Sequence, residues 1–165
     1  MRIFGLAGWS GSGKTTLMSK LLPELIQAGL RVSTVKHTHH TFDIDKPGKD
    51  SWQHRMAGAT EVMVASANRW ALLHELRGSP EPDLDALVAQ MAPVDLLLVE
   101  GFKRHGHDKL EVFRRANGKP LLHLEDLHIV AVASVDPLPE ARVPVLNLDD
   151  AAAIARFIRR HTGLG

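Results

Sequence analysis

Ile3-Phe4-Gly5-Leu6-Ala7-Gly8-Trp9-Ser10-Gly11-Ser12-Gly13-Lys14-Thr15-Thr16 begins as an apolar run and passes into the spacing G-x-x-x-x-G-K-T. That pattern belongs to a phosphate-binding loop that leaves a strand and enters a helix. Gly8, Gly11 and Gly13 let backbone N–H groups turn inward around an anion, with the main chain of Ser10 and Ser12 completing the cradle. The following helix points its positive end at the same anion. In this pattern Lys14 reaches the outer phosphates and the Thr15 hydroxyl is placed to hold Mg²⁺. A Gly/Ser turn that binds nothing is the plainer alternative, and the flanking strand and helix weigh against it.

Composition sets the outer limits. The 165 residues are enough for one domain with a sizeable core. A formal charge of +1 gives no global drive toward nucleic acid or a membrane surface, so any anion site is local. No apolar run reaches the ~20 residues needed to span a bilayer. The chain goes straight into a strand without signal-peptide architecture, and it contains no cysteine. Disulfides and thiolate metal sites are thereby excluded, and a cytoplasmic location is expected.

Around the loop, strands and helices alternate, which predicts a three-layer α/β fold with a mostly parallel sheet. Leu17, Leu21, Leu22, Leu25 and Ile26 share one face of a helix from Lys14 to about Ala28, with Gly29 as its stop and Pro23 as a source of a kink. Residues 31–36 read as a strand, and Asp50 or Ser51 as the cap of a short helix ending near Gly58. Residues 60–65 and 70–75 read as an antiparallel edge hairpin, followed by a helix over 83–91. The run Val94-Asp95-Leu96-Leu97-Leu98-Val99-Glu100 reads as a central strand buried on both faces. Strands over 110–113, 129–133 and 143–148 and a helix over 149–161 complete one domain. Trp52, Met56 and Met63 read as core residues.

A phosphate loop needs an acidic residue near its metal, at the end of a neighbouring strand. Asp95 and Glu100 flank the same strand. Nucleotides sit at the carboxyl ends of parallel strands, which favours Glu100 for the metal and leaves Asp95 a strand-start role. Gly101 behind it allows the backbone to approach the phosphates.

The polar segments carry weaker signals. His37, His39 and His40 include ligands for a transition metal, but extended backbone splays His39 and His40 to opposite sides. Pro47-Gly48-Lys49-Asp50-Ser51 reads as a turn into a helix start. Asp43 or Asp45 is a candidate for a water-mediated contact to Mg²⁺. Residues 102–107 read either as a second anion site or lid, or as a solvated loop. Asp136, at the end of a buried strand, is placed to accept from the two donors of a guanine edge, with turn chemistry before Pro137 as the alternative.

Taken together, Gly8–Thr16, Val35-Lys36-His37-Thr38-His39-His40, Phe42-Asp43-Ile44-Asp45, Pro47-Gly48-Lys49-Asp50-Ser51 and Val99-Glu100-Gly101-Phe102-Lys103 resemble the molybdopterin-guanine dinucleotide biosynthesis adaptor protein B family. The resemblance runs from Met1 to about Arg159. It implies a P-loop protein that binds GTP with Mg²⁺, has weak GTPase activity and forms a homodimer. It also implies work beside the guanylyltransferase and other molybdenum cofactor biosynthesis proteins, with molybdopterin a further candidate ligand. By matching motif, Gly11, Gly13, Lys14, Thr15 and Thr16 bind phosphates and Mg²⁺, and Glu100 approaches the metal. Lys36, His37, Lys49 and Lys103 line an anionic-ligand surface. Two alternatives remain open in the residues. One is a small-molecule P-loop kinase with Lys103-Arg104 or Arg114-Arg115 as its lid. The other is a nickel-chaperone-like GTPase, disfavoured by the lack of cysteine.

Overall fold

The computed structural model describes residues 1–38, 42–103 and 105–165. In chain order the elements are β1 (Arg2–Ala7), α1 (Lys14–Gln27), β2 (Val32–Lys36), α2 (Asp50–Met56), β3 (Glu61–Ala65), β4 (Trp70–His74), α3 (Leu84–Val88), β5 (Leu96–Glu100), β6 (Lys109–Val112), β7 (Ile129–Ser134), β8 (Val145–Asn147) and α4 (Ala151–Thr162). The chain gathers into two compact units. One comprises Met1–His37 and Met91–Gly165, and the other Thr38–Gln90.

The first unit is built on a six-stranded sheet in the order β2-β5-β1-β6-β7-β8. Every pairing in it is parallel. Alternation along the strands supplies its core: Phe4, Leu6, Leu96, Leu98, Leu110, Val112, Ala131 and Ala133 point to one face. There they meet Leu17, Met18, Leu21 and Leu25 of α1 and Ile154, Ala155 and Ile158 of α4. The buried stripe of α1 differs from the expected one at two positions. Met18 lies inside it, whereas Ile26 falls beyond its edge and is 56% exposed.

The helix ends confirm the local chemistry. The helix α1 continues through Pro23 to Gln27. Gly29, at φ +86°, then donates to the Ile26 carbonyl at 2.9 Å, and Leu30 donates to that of Leu25 at 3.2 Å. This left-handed closure satisfies two orphan carbonyls, and Leu30 packs back on the core. At α4, the Asp150 carboxylate caps the first turn by accepting from Ala153 N–H at 2.8 Å.

The opposite face of the sheet is unusually polar. Lys109 is buried in β6, donating to the His105 carbonyl at 2.8 Å and pairing with Asp126 at 3.4 Å. Glu111 is fully buried and accepts from the backbone N–H groups of Leu122 and His123 and from the His123 ring at 2.8 to 3.1 Å. The His107 ring lies against Gly5, where an added Cβ would come within 2.5 Å of its Nε2. Burial, then the charge of Lys109, pushes the His107 imidazole down to about 4.

In the second unit, β3 and β4 pair only with each other, so the hairpin forms its own two-stranded sheet and is not an edge of the parallel one. Neither Asp50 nor Ser51 caps α2. The N-cap residue is Lys49, and Ser51 Oγ donates instead to Asp45 at 2.8 Å. Met56 and Met63 are exposed, contrary to the core role expected of them, and Trp52 is half-buried. The centre of this unit is charged. The Arg55 guanidinium binds Asp43 at 2.8 Å, Asp45 at 3.2 Å and Glu75 at 2.8 Å, tying the segment before α2 to the end of β4.

Two measurements test this packing. Leu98→Ala is expected to lower unfolding free energy by roughly 2–5 kcal/mol, and Leu127→Ala, on a fully exposed side chain, by less than about 0.5 kcal/mol. His107 is neutral in the folded state and titrates near its ordinary value when unfolded. Its contribution is complete above about pH 6.5 and is lost as pH falls from there toward 4, where the unfolded chain binds the extra proton. Denaturant titrations over that range should show a shallower decline for His107→Asn than for the unaltered chain.

Candidate phosphate and metal site

The site stands where β1 ends between β5 and β6. Registry places Leu6 opposite Glu100 on one side and Ala7 opposite Glu111 on the other, so the loop after Ala7 leaves the carboxyl edge of the sheet beside Glu100. Gly8, at φ +146°, passes under the Val112 carbonyl so closely that a Cβ would lie 2.5 Å from it. Gly13 is the N-cap residue of α1 in the left-handed region, with φ +101°. It offers no side-chain cap, and the first turn of α1 carries no acidic residue. The free N–H groups and positive helix end are therefore left for an external anion.

Lys14 Nζ donates to the carbonyls of Gly8 and Trp9, both at 2.9 Å, which holds the ammonium against the start of the loop. Burial lowers its proton affinity. Glu100 opposes that effect, while Lys103 and Lys36 add to it. The Thr15 hydroxyl donates to the Glu100 carboxylate at 3.1 Å. Lys36 Nζ lies 3.5 Å from Thr15 Oγ1 and 3.6 Å from Glu100 Oε1. Ser12 is buried, and its Oγ has no hydrogen-bond partner among the described residues. A hydroxyl and a carboxylate within 3.1 Å of each other form a hard-oxygen pair that suits Mg²⁺ and not a soft metal.

Behind Glu100 the chain turns sharply. Gly101 adopts φ +102°, and a Cβ there would meet His37 Cβ at 2.7 Å. Phe102 follows at φ +48°, its ring 4.7 Å from that of His37. His37 N–H donates to the Glu100 carbonyl at 2.8 Å, so the ends of β2 and β5 are fastened next to the carboxylate. Glu100 thus stands beside the loop. Asp95 lies at the other end of β5, accepting from Arg31 N–H at 2.8 Å, a bond that holds its carboxyl below the usual range.

Other candidate residues are placed differently. Both oxygens of Asp45 are engaged inside the second unit, one by Ser51 and Lys46 N–H and the other by Arg55. Lys49 is the N-cap residue of the seven-residue α2 in that unit. Asp136 accepts from Arg115 N–H at 2.9 Å. Lys103 stands 5.0 Å from the Trp9 ring centroid. His39 and His40 lie outside the described residues, as does Arg104. Among the described residues, no group of three or more His, Asp or Glu side chains is arranged to hold a metal.

Two contacts on the loop escaped sequence reasoning. Arg114 Nε donates to the Ser12 carbonyl at 3.2 Å, and Trp9 Nε1 donates to the Pro120 carbonyl at 2.9 Å. Both brace the loop from the segment after β6. The only signals were a basic pair, Arg114-Arg115, and a large aromatic at a position the motif leaves open.

Comparison with known proteins identifies the family. The family model for molybdopterin guanine dinucleotide synthesis protein B matches residues 3–135. The chain is 45% identical over 159 residues to the molybdopterin-guanine dinucleotide biosynthesis adapter protein of Escherichia coli strain K12, covering 94% of this chain and 90% of that one. It is 43% identical to the adapter protein of the same name from Haemophilus influenzae, covering 94% and 86%. A crystal structure of molybdopterin-guanine biosynthesis protein B superposes with a TM-score of 0.76 at 28% identity, over 96% of this chain and 99% of that one. A MobB homologue from Bacillus stearothermophilus superposes with a TM-score of 0.75 at 26% identity over the whole of both chains. The chain belongs to the molybdopterin guanine dinucleotide synthesis protein B family.

Proposed function

We propose that this protein binds GTP with Mg²⁺ on the loop Gly8–Thr15 and serves as an adaptor in the step that joins a guanine nucleotide to molybdopterin. The observation that carries the reading is the Thr15–Glu100 contact beside an uncapped helix start. In this reading the loop amides and the first turn of α1 hold the phosphates, and Lys14 exchanges its carbonyl partners for phosphate oxygens. Thr15 and Glu100 supply oxygen donors to Mg²⁺, which when bound neutralises phosphate charge. Asp45 is committed within its own unit, so the metal proposal rests on Thr15 and Glu100. Asp136, at the carboxyl end of β7, is the candidate for reading guanine.

Hydrolysis is slow on this account, because the groups gathered at the loop are ones that bind phosphate and metal. The family assignment favours the adaptor over the kinase and nickel-chaperone alternatives. The partners are then the guanylyltransferase and other proteins of molybdenum cofactor assembly. The setting is the cytoplasm, which holds the GTP pool. No helix among the described residues is long and apolar enough to cross a membrane. A homodimer also belongs to this reading. The β3–β4 hairpin exposes Met63, Trp70 and Leu72, with Met63 opposite Leu72 and Trp70 opposite Ala65, an apolar face suited to a second copy.

Calorimetry tests the nucleotide site. Lys14→Ala is expected to weaken GTP·Mg²⁺ binding by about a hundredfold while leaving the circular dichroism spectrum unchanged; unchanged affinity contradicts the site. ATP is expected to bind more weakly than GTP, and parity removes Asp136 as a base reader. Sedimentation at micromolar concentration is expected to give a dimer that Trp70→Glu shifts toward monomer. A monomer in the unaltered protein removes the dimer from the account.

A further inference from the structure

Two arginines follow β6, and their side chains have different surroundings. Arg115 is exposed, and its guanidinium is engaged by the Glu140 carboxylate at 2.9 Å and the Pro137 carbonyl at 3.2 Å. Arg114 is half-buried, and no carboxylate pairs with it among the described residues. Its Nε donates to the Ser12 carbonyl at 3.2 Å, and neither Nη group has a partner among the described residues. Withdrawing a guanidinium from water without a counter-charge is unfavourable, and one bond to a neutral carbonyl offsets only part of that cost. Stability of the fold alone does not account for this placement.

The placement is held from both ends of the segment. Phe113 N–H donates to the Ala133 carbonyl at 2.9 Å, and further on Glu111 accepts from the N–H groups of Leu122 and His123. Between those anchors the chain lies against the loop. A Cβ on Gly13 would stand 3.6 Å from Arg114 Nε and 3.8 Å from Nη2, and one on Gly11 would stand 4.0 Å from both amide atoms of Asn117. The unpartnered end of Arg114 is therefore beside the helix start whose N–H groups are left for an anion. Sheet order decides which part of a ligand it meets. The strand β1 carries the loop, β5 brings Glu100 to one side of it, and β6 brings Arg114 to the other. Beyond β6, β7 leads to Asp136, which accepts from Arg115 N–H at 2.9 Å. In the functional reading above, metal and outer phosphates lie toward Glu100 and the base toward Asp136. A nucleotide laid between them turns its inner phosphate, the one esterified to the ribose, toward Arg114.

We infer that Arg114 is a further nucleotide-binding residue, whose Nη groups donate to the inner phosphate while Nε stays on the Ser12 carbonyl. A guanidinium serves both acceptors because its donors form a fixed fork, whereas an ammonium is a single point of charge. The assignment rests on the nucleotide reading of the loop. It divides the ligand in two: Lys14 and the metal answer the outer phosphates, and Arg114 answers the inner one. Affinity contributed by Arg114 is then common to guanosine di- and triphosphates.

The test uses the full chain carrying Arg114→Gln, Arg114→Lys or, as a control, Arg115→Gln. Calorimetry measures binding of a non-hydrolysable GTP analogue and of GDP, each with Mg²⁺, and phosphorus NMR follows the two resonances of bound GDP. Arg114→Gln is expected to weaken both nucleotides by about tenfold, moving the inner phosphorus resonance and leaving the outer one in place. Arg114→Lys is expected to recover part of that affinity, and Arg115→Gln to leave both nucleotides within about twofold of the unaltered chain. Unchanged affinity in Arg114→Gln overturns the assignment, as does a loss confined to the triphosphate. Equal movement of both resonances, the mark of a displaced loop, also overturns it. So does equal weakening by the Lys and Gln variants, since positive charge is then not what binds. If circular dichroism shows Arg114→Gln unfolded, the resonances of GDP bound to Arg114→Lys decide by the same rule. An unaltered chain that binds neither nucleotide removes the reading of the loop and this assignment with it, whereas a result confined to the Arg114 variants bears on Arg114 alone.

Discussion

A hydrogen bond across 85 residues of sequence, from the Thr15 hydroxyl to the Glu100 carboxylate, is the contact on which the rest of the site depends. It exists because β1 and β5 are parallel neighbours in a register that sets Leu6 against Glu100. Parallel pairing sends both strands out of the same edge of the sheet, so the loop after one and the carboxylate ending the other arrive together. A one-residue slip would turn Glu100 toward the opposite face and set Val99 or Gly101 against Leu6. The core residues that hold the register, Phe4, Leu6, Leu96 and Leu98, are therefore functional at one remove.

The loop accumulates features that suit an anion. Left-handed glycines, an uncapped helix start, a buried serine hydroxyl without a partner among the described residues and a lysine bonded to carbonyls are each unfavourable or neutral for a fold alone. Arg114 Nε donates to the Ser12 carbonyl and Trp9 Nε1 to that of Pro120, so the segment after β6 braces the loop. Under the proposed reading, fixed amides and fixed charge would cost little reorganisation on the arrival of a polyphosphate.

The sequence disclosed the parts governed by local rules. The G-x-x-x-x-G-K-T spacing, the alternation of strands and helices, Gly29 as a helix stop and the choice of Glu100 over Asp95 as the carboxylate beside the loop all follow from backbone geometry and strand direction. What stayed hidden depends on tertiary contacts. Lys109 and Glu111 sit in a strand that reads as ordinary, and only the folded chain shows them buried with His105, Asp126 and His123. Met56 and Met63 are apolar yet exposed, because hydrophobicity does not say which surface a small unit leaves uncovered. Asp45 reads as a candidate metal contact, and its bond to Arg55, ten residues on, is a tertiary contact that spacing does not disclose. Hydrophobic period puts Ile26 and not Met18 on the buried face of α1, whereas the packed helix buries Met18 and leaves Ile26 exposed.

The most direct measurement of the central claim is a crystal structure with a non-hydrolysable GTP analogue and Mn²⁺ in place of Mg²⁺, read by anomalous scattering. The account requires a manganese peak bound by Thr15 Oγ1 with Glu100 beside it, the phosphates enclosed by the loop amides, and Lys14 moved from the Gly8 and Trp9 carbonyls onto phosphate oxygens. A nucleotide bound elsewhere, or a loop still closed on Lys14 at saturating ligand, would contradict it.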